Sequence, residues 1–333
     1  MAERKNTTIE RLGGYATPSG AIASQKHNLE LSNIQLLGDQ LKPFKSSSTK
    51  TAAPNFYETN PDTSLFIGDC RELIPRLENN GQIDLVFADP PFNWDVPYDG
   101  WKDGMSRDEY ERFTFDWLDC CIKALSPTGS LWVNIPDDTV AEVVLHLKRR
   151  GMTMINWCVW HFRFGQHRNS SFILSKVHAL YFVKNPENRT WNPDAILEQS
   201  DRASIYHDQR TQDKPNNKGM RVPMDVWYGK YWGRIQGNNK ERRHGHHNQI
   251  PEVYLERVIL ACSNKGDVVL DPFAGSGTTS TVARAHGRRS ISIEHSKTNS
   301  QSAWQRITKT GMIRKDCSAG QSSAIFQCRK STC

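Results

Sequence analysis

Asp271-Pro272-Phe273-Ala274-Gly275-Ser276-Gly277-Thr278-Thr279 follows the apolar run VVL at 268–270 and leads into a helical pattern at 278–286. An apolar strand, a turn with two spaced glycines and then a helix make up the repeating unit of a parallel α/β sheet. Gly275 and Gly277 let the backbone turn tightly and approach a ligand with no Cβ in the way. A phosphate loop would need a lysine after the second glycine, where Thr278 stands, and a dinucleotide fingerprint would need a third glycine where Ser280 stands. The reading left is a turn for a nucleoside without phosphates, such as S-adenosylmethionine, against the plain alternative of a helix-start loop. Glu294 supports the nucleoside, because it ends the next strand (SISIE), where a carboxylate can hold both ribose hydroxyls.

Working outward, apolar strands alternate with helical patterns along most of the chain. Strands are expected at 64–67, 83–88, 129–135, 154–162, 178–183, 268–270 and 290–293, with helices at 70–78, 108–124, 138–149, 251–262 and 278–286. The expected fold is α/β, a doubly wound, mostly parallel sheet of the Rossmann-like type. Three strands end in polar loops: Gly68-Asp69, Asp89-Pro90-Pro91 and Asp271-Pro272-Phe273. In open parallel sheets ligands bind beyond the carboxyl ends of the strands, so chemistry is expected at these loops.

Asp89-Pro90-Pro91-Phe92 follows the strand IDLVFA. Two prolines stiffen the backbone, and Pro90 biases Asp89 towards an extended conformation. A rigid carboxylate, a neighbouring carbonyl at Pro90 and an aromatic face at Phe92 suit a substrate with an exocyclic amine on a planar ring. Hydrogen bonds from the –NH₂ to these acceptors favour a pyramidal nitrogen with a localised lone pair. Stacking on Phe92, with Trp94 beside it, is worth roughly 1–3 kcal/mol in comparable base–aromatic contacts. Alone, Asp-Pro-Pro would read as an ordinary turn.

The whole chain has 333 residues, with 43 Lys and Arg against 36 Asp and Glu, a net charge of +7. Most of that excess is local: 202–247 holds ten Lys and Arg against four Asp and Glu. The same stretch carries Tyr206, Trp227, Tyr228, Tyr231 and Trp232, and residues 185–247 break the strand–helix rhythm. A basic insert with interleaved aromatics suits nucleic acid, against the alternative of a solvated charged loop. Arg234, Lys240, Arg242 and Arg243 are the expected contacts. His244-Gly245-His246-His247 adjoins Arg242 and Arg243, which would repel a cation, so no metal is expected there. Residues 165–169 (GQHRN) are a candidate loop over the site.

No run approaches the roughly 18 apolar residues of a membrane helix, and MAERKNTTIE lacks the apolar region of a secretory signal. Eight scattered cysteines with no CxxC pair read as reduced thiols. A cytoplasmic protein without a membrane partner is expected. Residues 1–63 read as a flexible arm with a docked helix at 29–41, and 307–333 as a disordered tail.

The two motifs together resemble those of the DNA amino-methyltransferases, from about Leu65 to about Arg306. Asp89–Phe92 is similar to the family's D/N/S-P-P-Y/F/W catalytic motif, with Phe92 where Tyr is commoner. Asp271 to Thr279 is similar to its cofactor motif, DPFxGSGTT. Catalytic motif first and cofactor motif second resembles the circularly permuted β class. The resemblance implies S-adenosylmethionine as methyl donor, held by Asp271, Pro272, Phe273, Ala274, Gly275, Ser276, Gly277, Thr278 and Glu294. It adds Asp69 at the cofactor's adenine, and Gln249 and Pro251 at the start of the first cofactor-side helix. It makes Asp89, Pro90, Pro91 and Phe92 catalytic and 185–247 the target recognition region. It also implies double-stranded DNA as substrate with a base flipped from the helix, a homodimer by analogy, and a prokaryotic or viral source. Asp at the first motif position leans towards adenine N6. Cytosine N4, RNA, and a non-catalytic DNA-binding regulator of the same fold stay open as alternatives.

Overall fold

Near-continuous apolar strands belong in the middle of a sheet, where helices cover both faces. The runs at 83–88 and 268–271 fit that rule and pair with each other at the centre of a nine-stranded sheet. The structure is a computed structural model describing residues 56–313 except 78–79, 97–98, 100, 102, 163–168, 213–217, 230–231, 236, 238, 244 and 247. All of these residues fall in one compact unit, Ala53–Cys333.

The strands are β1 (Phe56–Asn60), β2 (Thr63–Ile67), β3 (Ile83–Ala88), β4 (Leu125–Ile135), β5 (Thr153–His161), β6 (Lys176–Val183), β7 (Glu198–Gln199), β8 (Met220–Arg221), β9 (Val226–Trp227), β10 (Val268–Asp271) and β11 (Arg289–Glu294). The helices are α1 (Cys70–Leu73), α2 (Arg107–Ala124), α3 (Val140–Arg149), α4 (Asp201–Ser204), α5 (Gln209–Gln212), α6 (Glu252–Cys262), α7 (Thr278–Ala285) and α8 (Lys297–Gln305). The main sheet runs β1-β2-β11-β10-β3-β4-β6-β5-β9, and β7 pairs separately with β8. Strands β2, β11, β10, β3 and β4 are mutually parallel, while β6 lies antiparallel to both β4 and β5. From β10 the chain moves to β11 on one side, and from β3 to β4 on the other. The switch point of this doubly wound sheet therefore lies between β3 and β10.

Alternation along the strands builds a core on each face. Val86, Ala88, Leu131, Val133 and Leu270 enter the core containing Trp117 of α2. Leu85, Phe87, Trp132, Tyr181 and Val269 enter the other, around Tyr254 of α6. Helix α2 starts at a capping box, in which Ser106 and Glu109 satisfy each other's backbone N–H.

All seven expected long strands and four of the five expected helices are present; the helix expected at 70–78 is α-helical only over Cys70–Leu73 and ends in a 3-10 turn, Ile74–Arg76. Three further corrections fall at the margins. The expected arm cannot extend to residue 63, because Phe56–Asn60 is a strand paired antiparallel with β2; residues 1–55 lie outside the described residues. The expected tail begins too early: Arg306 and Ile307 are buried in a π-helical turn, Arg306–Thr310, that continues α8. The insert is no separate module, since β9 extends the main sheet beside β5, and Trp227, Trp232 and Ile235 are core residues. The helix at 29–41 and residues 314–333 lie outside the described residues.

Candidate active site

The loops after β3 and β10 leave the sheet side by side, because Val86 pairs with Leu270. Asp89 and Asp271 therefore face one cavity of about 290 Å³. Its lining takes in Asp89, Pro90, Pro91 and Phe92 from one motif and Asp271 to Ser276, Thr278 and Thr279 from the other. Asp69, Gln249 and Glu294 also line it. Stretches almost two hundred positions apart thus converge where the topology predicts a ligand.

Each loop is held by specific bonds. Phe273 N donates to Asp271 Oδ1 at 2.9 Å, turning the chain back on itself. Gly275 and Gly277 adopt positive φ, +49° and +72°. Glu294 clamps the turn: its Oε2 accepts from Gly275 N at 2.8 Å and its Oε1 from Ser296 N at 2.9 Å. Tyr110 donates to the Pro91 carbonyl at 2.8 Å. Asn93 closes the next loop, accepting from Gly104 N and Met105 N and donating to Met105 O. Beyond it Asp99 accepts from Ser296 Oγ at 2.6 Å, and Trp101 packs on His295, so that Asp99 and Trp101 wall one side of the cavity.

Carboxylates dominate the electrostatics. Burial pushes the Asp89 carboxyl up to about 6, against the opposing pull of an Asn134 hydrogen bond and of Arg234. Burial pushes Asp271 up to about 7, with Asp89 and Glu294 adding repulsion. Glu294 is raised as well, again mainly by burial. A cavity holding these three carboxyls suits a ligand with positive charge. The turn leaves room for it, since a Cβ on Gly275 would meet only the Phe273 carbonyl, at 3.9 Å.

Several expected ligand residues also bond within the framework. Asp69 caps α1 through Arg71 N and forms a forked ion pair with Arg71, with a shortest contact of 2.6 Å. Gln249 binds the preceding loop with both ends of its amide, accepting from Arg243 N and donating to Glu241 O. Pro251 is the N-cap of α6 and Gly277 that of α7, packed against Ala303.

The expected nucleic-acid contacts divide. Lys240 and Arg242 are exposed, as are Tyr206 and Tyr228. Arg243 is half-buried. Arg234 turns inward: its guanidinium lies 4.2 Å over the Phe162 ring and 6.0 Å over Trp94, and it bonds Asn248, which lines the cavity. Phe92 meets Trp94 edge-on at 5.1 Å, so the Asp89–Phe92 turn and Arg234 share one aromatic wall. Tyr231, His244, His247 and residues 165–168 lie outside the described residues. Among those described, no cluster of three His, Cys, Asp or Glu could hold a metal ion, and no helix is long and apolar enough to cross a membrane.

Sequence reasoning missed Asp99, Trp101, His295 and Asn299 of the cavity wall, whose local patterns are those of any polar loop. It also missed Asn134 and Tyr254 behind Asp89. For Asn134 a signal existed, a lone amide inside the apolar strand LWVNI.

Comparison with known proteins agrees with this geometry. Residues 83–304 match the N6/N4 methyltransferase family model described as DNA methylase. The Type II methyltransferase M.HpaI of Haemophilus parainfluenzae is 30% identical over 247 residues, 74% of each chain. The DNA adenine methyltransferase YhdJ of Escherichia coli (strain K12) is 35% identical over 223 residues, 64% of this chain and 71% of YhdJ. In fold, the PvuII cytosine-N4-specific DNA methyltransferase aligns with a TM-score of 0.57 at 18% identity, covering 75% of this chain and 89% of that one. With its Asp-Pro-Pro-Phe and glycine motifs on adjoining strand ends inside the matched span, the chain belongs to the N6/N4 DNA methylase family.

Proposed function

We propose that the protein methylates DNA at a specific sequence, transferring the methyl group of S-adenosylmethionine to N6 of an adenine flipped out of the duplex. The observation that carries the reading is the convergence of Asp89–Phe92 and the Asp271–Thr279 turn on one acidic cavity. The residues fit this donor: its sulfonium and ammonium charges suit the carboxyls, and the open space at Gly275 admits the ligand against the backbone. Asp271, Gly275 and Glu294 would hold it. When bound, S-adenosylmethionine supplies an electrophilic methyl on an excellent leaving group.

The chain's own residues then have three tasks. Asp89, stiffened by Pro90, accepts a hydrogen bond from the target amine and sharpens the nitrogen lone pair. Phe92 and Trp94 offer faces and edges for the flipped base, repaying part of the few kcal/mol that flipping costs. The enclosing loops fix the direction of approach, which turns a bimolecular step into a nearly unimolecular one. Asp89 can also take the proton released from nitrogen.

Adenine is favoured by Asp at the first motif position and by the adenine-methylating relative at 35% identity. The order of the two motifs supports the circularly permuted β arrangement. The region 185–247 is proposed to read the target sequence, with Tyr206, Tyr228, Lys240 and Arg242 on its exposed side. Incubation with methyl-labelled S-adenosylmethionine and duplex DNA, then hydrolysis to nucleosides, tests the assignment. Label in N6-methyldeoxyadenosine is expected; label in N4-methyldeoxycytidine moves the target to cytosine, and unlabelled DNA overturns the reading.

A further inference from the structure

We propose that Tyr254 and Asn134 are positioning residues: two hydrogen bonds in series hold the Asp89 carboxylate in the orientation that receives the target amine. The proposal rests on the methyl-transfer reading above. Strand register places the partners, since Ala88 pairs with Val133 and the next residue along each strand brings Asn134 beside Asp89. Asn134 and Tyr254 are both fully buried. Asn134 Nδ2 donates to Asp89 Oδ1 at 3.0 Å, and Tyr254 Oη donates to Asn134 Oδ1 at 2.6 Å.

The order of these bonds explains why both residues are needed. A primary amide has a donor end and an acceptor end, and turning it over exchanges them. Left alone between two core faces, Asn134 could present its oxygen to Asp89, setting acceptor against acceptor. The Tyr254 hydroxyl occupies that oxygen and leaves the –NH₂ pointing at the carboxylate. Tyr254 cannot swing away, because Phe87, Trp160 and Trp227 pack edge-on against its ring with centroids 5.1 to 5.6 Å distant. Asp89 Oδ1 is thereby committed, and Oδ2 takes the substrate. Three other ionisable groups act at this carboxyl: Arg234 attracts its charge, while Asp271, and Tyr254 if ionised, repel it. A bond from Asn134 favours the ionised form.

Tyr254→Phe removes only the hydroxyl and frees the amide to turn. Infrared titration of the ligand-free, ¹³C-aspartate-labelled protein, with the Asp89 band assigned from Asp89→Asn, reads the carboxyl directly. Loss of a hydrogen bond to a charged group should move that titration up by about one pH unit. The acid limb of kcat should move equally, so that activity falls several-fold at pH 6.5 and recovers at pH 8.5 with the S-adenosylmethionine KM unchanged. Asn134→Ala, which deletes the donor outright, should raise the titration at least as far and serves if Tyr254→Phe folds poorly. An unmoved Asp89 titration in both variants, or a kcat loss equal at every pH, overturns the proposal. If the wild-type protein methylates no DNA, the infrared titration still decides this proposal while the functional reading falls separately.

Discussion

Arg306 and Glu252 form an ion pair at 2.9 Å with both side chains wholly buried. The same guanidinium donates to Ser276 O, to Ser276 Oγ and to Thr278 Oγ1, and so reaches the turn that lines the cavity. Glu252 in turn accepts from Ile313 N. One buried cation thus ties the glycine turn to the start of α6 and to the chain beyond α8.

Arg306→Met should therefore lower stability by about 3–5 kcal/mol, since it strands a buried carboxylate. Adding Glu252→Gln removes that charge and should restore a large part of the loss. S-adenosylmethionine affinity should stay weak in the double variant, because Ser276 and Thr278 still lack their donor. Chemical denaturation and titration calorimetry separate the two effects. Affinity recovering in step with stability would show that Arg306 braces the fold without shaping the turn.

The acidic cavity predicts a pH signature in ligand choice. Asp271 titrates near 7 when the site is free, and Glu294 is raised too. A cation favours the ionised carboxyls, so its binding releases protons and tightens as pH rises. S-adenosylmethionine and its demethylated product share the same amino-acid end and differ by the sulfonium charge. The ratio of their affinities should thus move towards the sulfonium between pH 6 and 8, by at most about tenfold per pH unit for one coupled carboxyl. A ratio that stays flat across this range would mean that these carboxyls do not face the sulfonium.

The glycine turn offers a paired test. At Gly277, φ is +72° and a Cβ would stand 3.1–3.2 Å from Ala303. Gly277→Ala should cost about 2–3 kcal/mol, part strain and part overpacking. At Gly275, φ is +49° and a Cβ meets no close neighbour in a cavity wall. Gly275→Ala should cost nearer 1 kcal/mol of stability yet weaken S-adenosylmethionine binding more than that cost implies. Urea denaturation beside calorimetry checks both, and a larger stability loss at Gly275 would contradict the assignment.

These contrasts show what sequence alone could carry. Strands such as IDLVFA and VVL were legible because burial on both faces demands near-continuous apolar residues. Both motif loops were legible because proline and glycine constrain the backbone locally. Strand direction was not: β5 and β6 have the same period whether they run parallel or antiparallel. Trp227 and Trp232 looked like a nucleic-acid surface because aromatics suit bases and cores equally; only packing on Tyr254 decides. Arg234 likewise reads as one more surface cation until Phe162 and Trp94 are found beneath it.

Asp89 sets activity against stability, and the sign follows from its titration. Its folded pKa, about 6, lies above the unfolded value of about 3.9. The folded protein therefore binds the extra proton, and this carboxyl favours folding more as pH falls from 8 through 6. Asp271, near 7, acts in the same direction. At pH 8 ionised Asp89 opposes folding by roughly 3 kcal/mol, the two-unit shift converted to free energy. Asp89→Asn keeps the acceptor for Asn134 and removes the charge, so the ligand-free variant should be more stable at pH 8 and show a flatter pH dependence. Any methylation it retains should no longer fall as pH drops through 6. Asp89→Ala, without an acceptor, should lose methylation while still binding S-adenosylmethionine. Thermal melts between pH 5.5 and 8, beside single-turnover assays, test both variants. Near-normal turnover in Asp89→Ala, or a melt whose pH dependence is the same in Asp89→Asn as in the wild type, would remove Asp89 from its place at the reacting amine.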